Sequence, residues 1–495
     1  MELIGQIRQH ASRFPHRIAL EGSTGEISYA ELAGMVERLA RQLHQQRVHT
    51  LAMALDNGPA WVVLDLAALH AGLCLIPLPP FFSTAQVRHA LAVSGAQALV
   101  TDQAGRLGSC LDLPAPGEPL DVAGQAVDWI DLADSDRRVP GDVCKITFTS
   151  GTTGEPKGVM LGWQHMRPVV RSLSDVVEVT ARDRHLVLTP LAVLLENIAG
   201  VYVSLWKGAT VIAPGSAEVG LAGSSGLDSP TMTAALHRHR ASTAIFSPHT
   251  LQGMIETIES GQPAPSYLRF GAVGGAPVSP RLLQRADRLG LPIFEGYGLS
   301  ECASVVCLNS VRHKRPGTVG RPLPHVRIHL TRTGEVQIDG AGFAGYLGET
   351  APPPQSWASG DIGSLDEDGF LSLRGRQRDI FITAFGRNVS PAWVEHELTL
   401  EPAIRQAAVF GEAMSCNVAV IHPAAGATSA TLAAAFRKVN ARLPDYARIA
   451  GWITSTDPFT PSNGLLTGTG RIRREAVQRR HRQQIEDFYQ KEHAS

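Results

Sequence analysis

The sequence predicts an α/β protein. It reads as a large N-terminal α/β domain with parallel sheets and a small β-rich subdomain, followed by a small mobile α+β C-terminal domain. Three observations predict it. Short apolar runs alternate with helical stretches over much of the chain, the pattern of parallel strands joined by crossover helices. After about residue 310 the pattern changes to short strands separated by turn residues. A polar stretch then precedes a last segment of roughly 115 residues, enough for a small domain of its own. The expected boundaries are 1–376 and 377–495, within the two to four domains that 495 residues allow.

In chain order, residues 1–48 read as helical, with Ser28 or Thr24 able to cap a helix that carries Leu32, Val36, Leu39 and Leu43. Strands are expected at 51–55, 73–77 and 98–101, with helices at 61–72 and 85–94 between them. The alternation resumes with strands at 185–188, 209–212, 244–246, 268–273 and 293–295. The β-rich part reads as strands at 326–330 and 336–338 around Thr333-Gly334, then 363–365 and 370–373 around Asp366-Glu367-Asp368-Gly369. Residues 374–379 read as a linker. Beyond them, strands are expected at 380–383, 406–410 and 417–421 and a helix at 431–440. Half of the segment 471–482 is Arg, which reads as a solvated C-terminal helix able at most to touch an anionic membrane surface or coenzyme A phosphates.

Composition excludes several classes of function. With 45 basic and 46 acidic residues the net charge is −1, without the basic excess of a nucleic-acid-binding protein. The six cysteines (74, 110, 144, 302, 307 and 416) contain no CxxC pair, so a structural zinc site is not expected and reduced cytoplasmic thiols are. The first residues lack the basic n-region of a signal peptide. Two apolar stretches, 61–78 and 186–206, carry Asp65 and His70 or Glu196 and Asn197, and read as buried elements rather than membrane spans. The basic set is 39 Arg and only 6 Lys, so each Lys draws notice.

One of those lysines closes the most informative stretch, Ile146-Thr-Phe-Thr-Ser-Gly-Thr-Thr-Gly-Glu-Pro-Lys-Gly158. An apolar strand runs into glycines and hydroxyls and ends at Lys157. Gly151, Gly154 and Gly158 permit close backbone approach. N–H groups with the hydroxyls of Thr149, Ser150, Thr152 and Thr153 can wrap phosphate oxygens, and Lys157 adds a mobile positive charge. The loop differs from the Gly-x4-Gly-Lys-Ser/Thr form. Further along, Tyr297 offers an aromatic face to a base. Glu301 is a carboxylate able to hold Mg²⁺. Ser300 places a hydroxyl beside it. Asp361 can accept two ribose hydroxyls, and Arg376 can donate a bidentate pair. His185 and His325 have no motif context and read as ordinary residues.

The stretch resembles the phosphate-loop signature of the adenylate-forming (AMP-binding) superfamily, which includes acyl-CoA synthetases, luciferases and peptide-synthetase adenylation domains. Other segments resemble its motifs in order: Gly274-Gly275-Ala276; Glu295-Gly296-Tyr297-Gly298-Leu299-Ser300-Glu301; Ser359-Gly360-Asp361; Gly375-Arg376-Gln377-Arg378-Asp379; Gly386-Arg387-Asn388-Val389-Ser390-Pro391 with Glu395; and Leu465 to Arg471. The resemblance spans nearly the whole chain. It implies binding of ATP with Mg²⁺ at Glu301. It also implies formation of an acyl-adenylate from a carboxylic acid, and transfer of the acyl group to coenzyme A or an acyl carrier protein. It places a hinge at Arg378 and a catalytic cation at Arg471.

The sequence departs from the family at two of these places. Arg471 stands where the family has Lys, and a planar fork is not a point ammonium. Val193 stands where many members have His or an aromatic. The segments 388–395 and 459–467 look most like the long-chain fatty acyl-CoA synthetase branch, so a fatty acid:CoA ligase is expected. The alternatives are an acyl- or aryl-adenylate synthetase that serves a carrier protein or an amine, and a nucleotide-binding protein with weakened adenylation.

Overall fold

The structure, a computed structural model, describes residues 2–132, 139–149, 156–222, 226–350, 352–377, 379–385, 387–467 and 470–494. Two mixed sheets dominate. The nine-stranded sheet has six parallel strands in the order Ile293–Leu299, Phe270–Val273, Thr243–Phe246, Arg184–Leu186, Thr210–Ile212 and Ile18–Gly22, with antiparallel strands at both edges. The eight-stranded sheet has a parallel centre of Lys145–Thr149, Cys74–Pro77, Thr50–Ala54 and Ala98–Thr101. Strand Lys157–Leu161 folds back antiparallel on Lys145–Thr149, and the short strand Gly345–Tyr346 pairs with it in turn. Central strands covered on both faces are apolar throughout, which is why they were legible as continuous runs.

The two apolar stretches are interior elements. Helix Pro59–Ala71 is buried from Pro59 to Leu69, and a helix apolar all round is what a large core requires. The second stretch breaks into strand Arg184–Leu186, a loop, the π-helix Glu196–Tyr202 and the short helix Val203–Lys207. No helix among the described residues is long and apolar enough to cross a membrane. The polar groups in these stretches satisfy one another. Buried Lys145 Nζ donates to Asp65 Oδ1 at 2.7 Å, to Tyr202 Oη at 3.0 Å and to Asn197 Oδ1. Asn197 Nδ2 donates to Asp65 Oδ2 at 2.9 Å. Lys145→Ala leaves Asp65 buried without its cation. The expected loss is about 3–5 kcal/mol in denaturant unfolding, and the apolar pair Lys145→Met with Asp65→Leu recovers most of it.

Three sequence readings need correction. Residues 1–48 are not helical throughout. A hairpin, Ile18–Gly22 with Gly25–Ser28, separates helices Glu2–Arg13 and Tyr29–Gln45. Thr24 lies in its turn, and Ser28 caps the second helix in a capping box with Glu31. Residues 374–376 are not a linker. They finish strand Leu371–Arg376, which pairs with Ser356–Leu365 in a four-stranded antiparallel sheet. A strand with one wetted face carries charges without losing its pairing. Nor is the arginine-rich C-terminal segment wholly solvated. Arg474 is partly buried, and both its Nη atoms donate to Glu395, the Nη2 bond to Oε2 measuring 3.1 Å.

Residues 381–489 form two apolar clusters of their own around the sheet Ile404–Phe410, Asn417–Pro423 and Ile449–Thr454. They meet the large part at few places. Ser279 Oγ donates to Glu397 Oε1 at 2.9 Å, and Arg281 Nη1 to Glu401 Oε1 at 3.3 Å.

Candidate active site

The site begins where strand Ile293–Leu299 leaves its sheet. The chain passes through the 3₁₀ turn Ser300–Cys302 and reverses at Ala303 and Ser304, both at positive φ, so that Ser304–Leu308 pairs back on the same strand. At Gly298 a Cβ would overlap the Ser304 backbone, so glycine is required for the reversal. The tight return holds Ser300 and Glu301 at the mouth of a cleft of about 2750 Å³.

Tyr297 and Asp361 come together across that cleft. The Tyr297 hydroxyl donates to Asp361 Oδ2 at 2.5 Å, and Arg376 Nε donates to Oδ1 at 2.8 Å. Arg376 Nη1 also donates to the Ser359 carbonyl at 3.0 Å. This triad follows from strand register, because Asp361 and Arg376 are direct partners in the antiparallel pair. Asp361 is 6 % exposed. Burial and the neighbouring Asp361 carboxylate push the Tyr297 phenol up. Burial alone pushes the Glu295 carboxyl up to about 8, so near neutral pH it carries its proton.

Two residues that the sequence reading missed complete the phosphate end. Tyr346 donates from its hydroxyl to Glu301 Oε1 at 2.7 Å. Lys157 Nζ stands 4.7 Å from the centre of the Tyr346 ring and 3.2 Å from Glu349 Oε1. These contacts depend on the pairing of Tyr346 with Val159, which no local pattern announces. Thr149 Oγ1 donates to the Lys157 carbonyl at 3.4 Å. Ser150, Gly151, Thr152, Thr153 and Gly154 lie outside the described residues, as does the expected hinge residue Arg378.

Arg471 arrives from the other end of the chain. The turn Thr467–Gly470 is closed by Thr467 N–H donating to the Arg471 carbonyl at 2.7 Å. Arg471 Nη2 then donates to the Gly275 carbonyl at 2.8 Å. Thr149, Lys157, Gly274, Gly275, Ala276, Glu295, Gly296, Tyr297, Gly298, Ser300, Glu301, Asp361, Arg376 and Arg471 all line the one cleft. So does Val193. His185, set aside in the sequence, lines it as well.

The donor set fits Mg²⁺. No group of three or more ligating side chains gathers among the described residues. A cation that keeps several waters and takes one or two carboxylates with phosphate oxygens needs no such cage. Glu301 supplies the carboxylate, fixed through one oxygen by Tyr346.

Residues 7–347 match the family described as AMP-binding enzyme, and residues 378–493 match its C-terminal domain. The chain belongs to the AMP-binding enzyme family. This AMP-binding enzyme is 27 % identical over 520 residues to the long-chain-fatty-acid–CoA ligase FadD15 of Mycobacterium bovis, covering 87 % of this chain and 86 % of that one. It is 30 % identical over 429 residues to a feruloyl-CoA synthase of Amycolatopsis, covering 81 % and 84 %. Its fold matches the O-succinylbenzoate coenzyme A synthetase MenE of Bacillus subtilis, solved with ATP and magnesium ion. That match has a TM-score of 0.75 and 22 % identity over 95 % of this chain and 98 % of the other.

Proposed function

We propose that this AMP-binding enzyme converts a fatty acid to its coenzyme A thioester. The coarser activity is that of an AMP-forming acyl- or aryl-CoA ligase that works through an acyl-adenylate with ATP, Mg²⁺ and coenzyme A. The observation that carries the reading is the convergence, in one cleft, of phosphate-binding, ribose-binding and carboxylate-facing groups from both ends of the chain. The fatty acid rests on the apolar wall running inward from Gly274, which includes Leu173, Val177, Val203, Phe270 and Ala272, and on the likeness to FadD15.

A carboxylate oxygen attacks the α-phosphorus of ATP, an O–P bond forms, and the bond to pyrophosphate breaks. The protein's work is positioning and charge stabilisation. Lys157 and Ser300 meet the phosphates, Asp361 accepts the ribose hydroxyls with Arg376 behind it, and Tyr297 gives its ring to adenine. Protonated Glu295 can both donate to and accept from the edge of the base. Glu301 holds Mg²⁺, which when bound neutralises phosphate charge. Arg471, anchored at Gly275, faces the carboxylate and the α-phosphate. The thiol of coenzyme A then attacks the acyl carbon, and AMP leaves. We assign residues 1–376 to the large domain and 377–495 to the cap, with Arg378 as the hinge between the half-reactions.

ATP–pyrophosphate exchange with acids of two to eighteen carbons and with benzoates tests the reading, followed by assay for thioester and AMP on adding coenzyme A. Exchange with benzoates alone would overturn the fatty acid assignment, and thioester formed only on a carrier protein would overturn the acceptor. Asp361→Asn removes a charged acceptor of two hydroxyls. Its expected effect is a KM for ATP raised about 10- to 100-fold, since hydrogen bonds to charged groups contribute about 1.5–3 kcal/mol.

A further inference from the structure

The inner end of the acid pocket is polar. His185, Thr243 and Phe270 are neighbours across three parallel strands, in register, so their side chains share one face of the sheet. Ile245 and Ala272 lie one step nearer the mouth on that face, and all five line the cleft. Gly274, at the mouth, is four residues beyond Phe270, about 13 Å at 3.3 Å per residue. Opposite stands the π-helix Glu196–Tyr202, followed by Ser204.

The polar groups there are ordered. His185 Nε2 bonds to Glu196 Oε1 at 2.7 Å, and His185 Nδ1 to Thr243 Oγ1 at 3.0 Å. Glu196 is fully buried, and its Oε2 has no hydrogen-bond partner among the described residues. A Cβ on residue 200 would collide with the His185 ring and the Glu196 carboxylate, so glycine in the π-helix is what lets this pair close. Ser204 is 3 % exposed, lines the cleft and bonds through its hydroxyl to no described residue.

These groups fix what the end of the pocket offers. With Nε2–H donating to the Glu196 carboxylate, Nδ1 accepts the Thr243 proton. Thr243 then turns only lone pairs toward the cavity, while Ser204 can donate or accept. A methyl end would leave both buried oxygens unsatisfied. A hydroxyl donates to Thr243 and accepts from Ser204. Resting on the fatty acid reading above, we propose that the preferred acid carries a hydroxyl about 13 Å from its carboxyl group, bound by Thr243 and Ser204 with His185 and Glu196 as positioning residues.

The test compares kcat/KM for ω-hydroxydecanoate and decanoate in the full-length enzyme. The wild type is expected to favour the hydroxy acid by about tenfold or more, because a site built to hydrogen-bond a hydroxyl rejects the analogue that lacks it. Thr243→Val and Ser204→Ala each lower the ratio of the two values at least severalfold, and Thr243→Ser preserves it. Equal loss for both acids would mark a merely structural role and overturn the proposal. So would a wild-type preference for decanoate, with the fatty acid reading left standing. Failure of both acids to support exchange would overturn that reading along with the proposal.

Discussion

Glu301→Gln is expected to lower ATP–pyrophosphate exchange by about 100- to 1000-fold, the loss that follows removal of one group from a preorganised charge-stabilising site. The same substitution should tighten ATP binding when Mg²⁺ is withheld. A carboxylate beside a triphosphate is repulsive by itself, by about 4 kcal/mol for unit charges 4 Å apart at an effective dielectric of 20. Its presence makes physical sense only with a divalent cation between the two. Nucleotide binding measured with and without Mg²⁺ reads both signs. If Glu301→Gln weakened binding equally in the two conditions, the carboxylate would have some other role. Tyr346→Phe frees the Glu301 oxygen held at 2.7 Å and should raise the Mg²⁺ requirement about tenfold, as loss of a ligand's outer hydrogen bond does.

Arg471→Ala should lower adenylation by a comparable 100- to 1000-fold, while thioester formation from a supplied acyl-adenylate falls far less. The argument is geometric. One arm of the guanidinium is fixed on the Gly275 carbonyl, and the rest of the fork lines the cleft beside the segment where the acid's carboxylate binds. Arg471→Lys keeps the charge and loses the fork. It should stay within about tenfold of the wild type, since charge at this place matters more than planarity. If Arg471→Ala adenylated as well as the wild type, the protein would position its acid without a C-terminal cation.

Much of the site was legible because its chemistry is concentrated in short segments. Lys157 stood out as one of six lysines, and Tyr297, Glu301 and Asp361 each brought a functional group that a nucleotide needs. Tyr346 and Glu349 were not legible, because their approach to Glu301 and Lys157 is made by strand pairing across nearly two hundred residues. His185 was misjudged for the same reason. Its partners, Glu196 and Thr243, come from different elements, and only sheet register shows that it faces the pocket. In the fold, apolar parallel strands were found to within a residue or two. The hairpin at 18–28 was hidden by the helical periodicity on both sides of it. The strand at 371–376 was hidden by its charges.

The π-helix at 196–202 has a consequence for phase. An α-helix turns about 100° per residue, so deleting a single residue from that wide turn would swing everything after it by that angle. Tyr202 would turn away from Lys145 in the core, and Ser204 would turn away from the cleft. Burial of an ion cluster and recognition at the end of the pocket are thus set together by the spacing of one short segment. Drift in its length is closed to this chain even where a change of side chain is open.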